Sequence, residues 1–75
     1  MTNAERKQMI LEMVSRNKSV QITDLVKQFD VSVMTIRRDL AELEDKKYIK
    51  RVYGGAVLNE EELNKDVLGR EYDYS

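Results

Sequence analysis

Nine consecutive residues, Ser32-Val33-Met34-Thr35-Ile36-Arg37-Arg38-Asp39-Leu40, restrict this chain more than any other stretch. Ser32 is a preferred helix N-cap, because its hydroxyl oxygen can accept from the free amides of Met34 or Thr35, so the spacing predicts a helix from Val33. At about 100° per residue, Val33, Ile36, Leu40 and Leu43 fall on one face, while Met34, Arg38 and Asp45 point the opposite way. Thr35 and Arg37 flank that outer face. The helix can therefore bury one side and present Met34, Thr35, Arg37 and Arg38 near its N-terminus with the other. An N-terminus carries partial positive charge and unpaired N–H groups, which suits it to lie against phosphate. Arginine adds a planar fork able to grip guanine O6 and N7 or a phosphate. Taken alone, two adjacent helical arginines are as often a solvated face as a binding surface.

A basic strand and a glycine turn raise their weight. Tyr48-Ile49-Lys50-Arg51-Val52 has strand character, Gly54-Gly55 supplies the positive φ angles of a tight turn, and Ala56-Val57-Leu58 can return as the partner strand. A lone two-stranded ribbon is barely stable, so it must pack on the helices, joined by the short alternating stretch Val20-Gln21-Ile22. Gly54-Gly55 is a turn whatever the function. Lys50, Arg51 and Tyr53 would place charge and an aromatic at the tip of a wing that can reach DNA backbone or minor groove.

The N-terminal half supplies two more helices. Thr2-Asn3-Ala4-Glu5 reads as a capping box, and Met9, Ile10, Met13 and Val14 recur at helical spacing until Asn17, a residue that tolerates a left-handed helix stop. The methionines read as core filler. Thr23 is the expected cap of a second helix, Asp24 complements its dipole, and Leu25, Val26 and Phe29 supply its buried face. Asp30-Val31 then turns into Ser32. Two short helices joined by such a turn, the second exposing arginines, form a helix-turn-helix unit over about residues 20–39, with a wing over about 48–58. The predicted fold is mainly α with a small β-hairpin: three helices plus a short antiparallel sheet, a winged helix-turn-helix.

Composition narrows the alternatives. Seventy-five residues make one small domain with a thin core, and no apolar run approaches a membrane span. With no cysteine and no histidine there is no disulfide framework, no thiolate metal site and no imidazole base, so neither a metal site, a cofactor site nor an enzyme is expected. A small enzyme would lack a nucleophile beside a base. A winged helix used only for protein contacts is disfavoured by the outward arginines. The net charge of −1 averages two unlike parts: residues 1–58 carry +3 and residues 59–75 carry −4. One copy should therefore bind DNA weakly.

Arg6 in the first helix, Val31-Ser32, Thr35-Ile36-Arg37-Arg38-Asp39-Leu40, Leu43-Glu44, and Arg51 with Gly54-Gly55-Ala56 together resemble the N-terminal domain of the DeoR family of bacterial transcriptional regulators. The resemblance covers nearly all of residues 3–58. It implies sequence-specific binding of double-stranded operator DNA, with Met34, Thr35 and Arg38 reading bases. Arg6, Ser32, Arg37, Lys50, Arg51, Tyr53, Gly54 and Gly55 would hold backbone. It further implies repression of sugar or carbon metabolism genes, a cytoplasmic, nucleoid-associated setting, and a C-terminal domain that binds a phosphorylated sugar and builds a homo-oligomer. That domain would lie outside these residues, so the chain reads as a fragment, monomeric or weakly associating, with 1–58 as DNA-binding domain and 59–75 as acidic linker. Glu60, Glu61 and Glu62 read first as a solvated linker or a short helix start, the usual behaviour of a charge run; a sharper idea is that they compete with phosphate for Lys50 and Arg51. The family pattern is altered at Val26 (commonly Ala), Asp30 and Lys47 (commonly Gly) and Tyr53 (commonly His).

Overall fold

The computed structural model describes residues 1–60. Among them run α1 (Asn3–Asn17), β1 (Ser19–Gln21), α2 (Ile22–Phe29), α3 (Val33–Asp45), β2 (Ile49–Val52) and β3 (Gly55–Leu58). The three strands form one antiparallel sheet in the order β1-β3-β2. Val20 stands opposite Ala56, and Arg51 is the partner of Ala56 on the other side. The short N-terminal stretch thus joins the hairpin sheet, one residue earlier than the alternation at Val20–Ile22 suggested.

Local chemistry accounts for most of the element boundaries. Thr2 Oγ1 accepts from the Glu5 amide at 3.1 Å while Glu5 Oε1 accepts from the Thr2 amide at 3.0 Å, which closes the expected capping box. Hydrogen bonding from Thr2, its backbone amide first and its hydroxyl second, holds the Glu5 carboxyl below its ordinary pKa. The first helix ends at Asn17 as expected, but the left-handed residue that stops it is the next one. Asn17 is its last helical residue, and Lys18 adopts the left-handed conformation with φ 73°, its amide donating to Val14 O at 2.7 Å. Asp30 takes the left-handed turn between α2 and α3 with φ 52°, the tolerance that makes Asp acceptable where Gly is common.

The end of α3 is a Schellman arrangement. The Lys47 amide donates to Glu44 O at 2.9 Å and the Tyr48 amide to Leu43 O at 3.2 Å, with Lys47 left-handed at φ 71°. A lysine therefore stands in a backbone conformation that glycine adopts with less strain.

Three local expectations are corrected. Thr23 does not cap α2: the helix starts at Ile22, its N-cap is Gln21 without a side-chain cap bond, and β1 runs straight into it. The Ile22 amide is instead satisfied by Gly54 O at 2.9 Å, a bond from the wing tip. Val33 does not join the core. It is 44% exposed, whereas Ile36, three residues on along the same face, is fully buried. Finally, Gly54 alone has positive φ, 79°, so the two-residue tip Tyr53-Gly54 is not a mirror-image turn with both central residues left-handed. Gly55 is required for another reason: a Cβ there would lie 2.0 Å from Val20 O, so only a bare backbone lets β3 approach β1.

The core contains Ile10 and Val14 of α1, Val20 of β1, Leu25 of α2, Ile36, Leu40 and Leu43 of α3, Ile49 of β2 and Ala56 of β3. Met13, Val26 and Phe29 pack on its margin, whereas Met9 is largely at the surface. Every element thus contributes to one small core, and α3 is fixed on it by its inner stripe. Asn59 also belongs to the folded unit. It is buried, its side-chain amide donates to Lys47 O at 3.1 Å and its backbone amide to Tyr48 O at 3.1 Å.

Candidate nucleic-acid interface

The outer face of α3 is built from its cap upward. Ser32 Oγ accepts from the Thr35 amide at 3.1 Å and lies 3.0 Å from Thr35 Oγ1. The two hydroxyls are thus held together at the helix start. Met34 is 66% exposed, a large apolar cost to leave in water, and stands one turn from Arg38 on the same outward side. Arg37 and Arg38 are exposed, and among the described residues neither makes a hydrogen bond or ion pair. Their surroundings differ. Arg37 borders a groove between α3 and the wing, together with Arg51, Tyr53 and Gly54. Arg38 stands one turn before Glu42 on the same helix, near enough to help hold the Glu42 carboxyl low, behind the larger effect of the Lys7 ammonium bonded to it.

The wing presents Lys50, Arg51 and Tyr53 outward, and Tyr53 at the tip is fully exposed. Arg51 is engaged with α3. Glu44 Oε1 accepts from its Nε at 3.0 Å and Glu44 Oε2 from its backbone amide at 2.9 Å, and these bonds draw the Glu44 carboxyl below its ordinary pKa. Gly54 is exposed at the tip. Gly55 is buried against β1, unlike the exposed tip, which corrects its place among the expected surface contacts.

Arg6 is the larger correction. It is 7% exposed, and its guanidinium grips Asp39 with Nε on Oδ2 and Nη2 on Oδ1, the latter at 3.0 Å. Nη2 also donates to Asn3 Oδ1 at 3.0 Å. The Asp39 bonds push the guanidinium pKa further up, so the charge is permanent. Arg6 points inward and ties α1 to α3, and it is not on the surface that carries Arg37 and Arg38. A second tie beside it joins Lys7 to Glu42. The sequence reading missed Asp39 and Glu44 as structural partners. For Arg6 a signal was present: Arg6, Ile10 and Val14 recur every fourth residue and form the buried stripe of α1.

Glu60 is placed beside Lys18 at 3.6 Å, a distance at which an exposed pair contributes little. Glu61, Glu62 and the rest of the acidic tail, on which the idea of competition for Lys50 and Arg51 also rests, lie outside the described residues. No described helix is long and apolar enough to cross a membrane, and no three His, Cys, Asp or Glu gather as metal ligands among the described residues.

A helix pair joined through Asp30–Ser32, an arginine-bearing outer face on the second of them and a hairpin behind it define a winged helix-turn-helix domain. Residues 6–62 match the DeoR-like helix-turn-helix domain. The chain belongs to the DeoR family of helix-turn-helix transcriptional regulators. It is 39% identical over 69 residues to an uncharacterized HTH-type transcriptional regulator FruR of Bacillus subtilis, covering 91% of this chain and 28% of that protein. It is 41% identical over 59 residues to a lactose phosphotransferase system repressor of Staphylococcus epidermidis, covering 79% and 24%. The HTH-type transcriptional regulator GlpR of Haloferax volcanii is 47% identical over 57 residues, covering 76% and 22%. The chain thus spans about a quarter of the length of these curated relatives. No solved structure matches it.

Proposed function

We propose that this chain is the operator-reading domain of a repressor of sugar or carbon metabolism genes. The observation that carries the reading is the outer face of α3, where Arg37 and Arg38 stand exposed beside Met34, neither in a hydrogen bond or ion pair among the described residues. In this reading α3 enters a major groove, Arg38 and Thr35 meet base edges, and Met34 gives apolar contact to a thymine methyl. Arg37, the Ser32 cap region, Lys50, Arg51, Tyr53 and the exposed Gly54 approach phosphates along the groove between helix and wing. The relative described as a lactose phosphotransferase system repressor supports both repression and a carbohydrate context.

Residues 1–58, extended by the buried Asn59, act as the DNA-binding domain, and the remaining acidic residues link it to an effector domain outside this chain. That domain binds a phosphorylated sugar and assembles the regulator into a homo-oligomer in the bacterial cytoplasm, at the nucleoid. The oligomer would set two copies on half-sites about one helical turn or a multiple apart, and the effector would alter their spacing.

Selection of bound sequences from a random duplex pool tests the core of this proposal and gives the half-site. With that site in hand, Arg38→Ala is expected to cost ~1–3 kcal/mol and to relax preference at one position. Operator preference unchanged by Arg38→Ala would refute the base-reading assignment.

A further inference from the structure

We propose that Glu44 is a positioning residue that aims Arg51 at a DNA phosphate and fixes the wing to the recognition helix. The inference rests on the DNA-binding reading and adds to it a carboxylate that never touches DNA. Its basis is the division of labour around one guanidinium. In the order β1-β3-β2, β2 is an edge strand, so the amide of Arg51 that faces away from β3 would have no strand partner. Glu44 supplies one with Oε2 at 2.9 Å, and with Oε1 it takes the Nε–H of the same residue at 3.0 Å.

A guanidinium carries five N–H donors. Glu44 uses only the one at Nε, which leaves the terminal Nη1 and Nη2 donors for an anion. The Arg51 side chain is 48% exposed and borders the groove it shares with Arg37. A flexible arginine loses rotamer freedom when it binds a phosphate, and here that freedom is already spent on Glu44. Because one carboxylate bonds both the main chain and the side chain of Arg51, it also sets how far the wing stands from α3. The groove that must straddle a DNA strand is therefore held at one width.

The test uses the 75-residue chain and a mixed-sequence duplex of about thirty base pairs, since a phosphate contact does not depend on sequence. Binding is followed by fluorescence anisotropy across a salt series, with thermal melting of each variant as a fold check. Glu44→Gln keeps the side-chain volume and an acceptor for the Arg51 amide but removes the charge that orients Nε. It is expected to weaken binding about 5–10-fold near 0.1 M salt and to flatten the salt slope by about one, the signature of one lost phosphate contact. Arg51→Lys, which keeps the positive charge but has no Nε fork, is expected to fall by a similar factor. The double variant should be no worse than either single one.

Glu44→Gln binding that equals or exceeds that of the unsubstituted chain would overturn the proposal, the latter result marking Glu44 as a competitor of phosphate. Additive losses in the double variant, or a lowered melting temperature with an unaltered salt slope, would overturn it as well and leave a purely structural brace. An unsubstituted chain without salt-dependent DNA binding would instead refute the DNA-binding reading itself, and this inference with it.

Discussion

Replacing Arg6 by Ala separates two roles that cannot both be right. The sequence expectation placed Arg6 on a phosphate, whereas the structure buries it, 7% exposed, against Asp39, 3% exposed. Truncating one partner of a buried, hydrogen-bonded pair leaves the other charge in a poorly solvated site, at a cost of ~3–5 kcal/mol. A domain of about sixty residues has a total stability of only roughly 3–9 kcal/mol. Arg6→Ala should therefore leave a large fraction of the chain unfolded at 25 °C, or lower its urea midpoint by about 3–5 M at a slope near 1 kcal/mol per molar. Asp39→Asn should lose less than Asp39→Ala, because the amide still accepts one guanidinium bond. Replacing both partners by apolar residues, Arg6→Met with Asp39→Leu, should recover most of the stability, since the desolvation cost of both charges disappears together. Urea unfolding followed by circular dichroism gives all four numbers, and a salt series of DNA binding on the double variant gives the fifth. That variant should keep the salt slope of the unsubstituted chain. An Arg6→Ala chain with unchanged urea midpoint but a salt slope reduced by about one would refute the buried-pair account and return Arg6 to the phosphate backbone.

The two glycines of the wing should respond in opposite order to their backbone angles. Gly55→Ala puts a Cβ 2.0 Å from Val20 O, a backbone atom that cannot move without opening the β1–β3 pairing, so a loss of about 2 kcal/mol or more is expected. Gly54→Ala meets nothing within 4 Å and should cost only the left-handed strain of ~1–2 kcal/mol, and thermal melts showing the reverse order would contradict the packing. Acid should destabilise the domain. The Glu42 carboxyl is held low chiefly by its bond to Lys7 and the Glu44 carboxyl chiefly by the Arg51 amide, so both are depressed in the folded state. Such groups contribute stability that is complete above the ordinary glutamate pKa of about 4.5 and drains away as the pH falls through their lower folded values. Melting temperature against pH should therefore decline below about pH 4.5, and the decline should be shallower in a Glu42→Gln, Glu44→Gln chain; an equal decline in both would exclude these carboxyls as its cause.

What the residues disclosed in advance was whatever depends on neighbours a few positions apart. The Thr2–Glu5 box, the Ser32 cap and the alternation of Leu25, Ile36, Leu40 and Leu43 with polar partners are short-range patterns, and each appears where expected. The outward face of Met34, Thr35, Arg37 and Arg38 follows from the same periodicity. What stayed hidden is long-range. Nothing near Arg6 indicates that an aspartate 33 positions later waits for it across the core. Asp39 itself sits beside two exposed arginines and looks like their solvated companion until α1 is laid against α3. The role of Gly55 was equally hidden, because the atom that excludes a side chain there belongs to Val20, on another strand. Thr23 failed as a cap for a related reason: the wing tip satisfies the Ile22 amide, and the helix can begin before the better capping residue is reached.

The pairing of β1 with β3 has a consequence for how this domain comes into being. Val20 and Ala56 are separated by 36 positions, and the whole helix-turn-helix lies in the loop they close. Closing a flexible loop of that length costs roughly 3 kcal/mol of chain entropy before any contact repays it. The wing is consequently a clasp that the chain can fasten only after both of its ends have emerged. A nascent chain released short of Gly55 would carry all the residues proposed to face DNA and none of the closure that keeps them in register. Cutting the hairpin tip at Tyr53-Gly54 should in turn loosen α2 and α3 together.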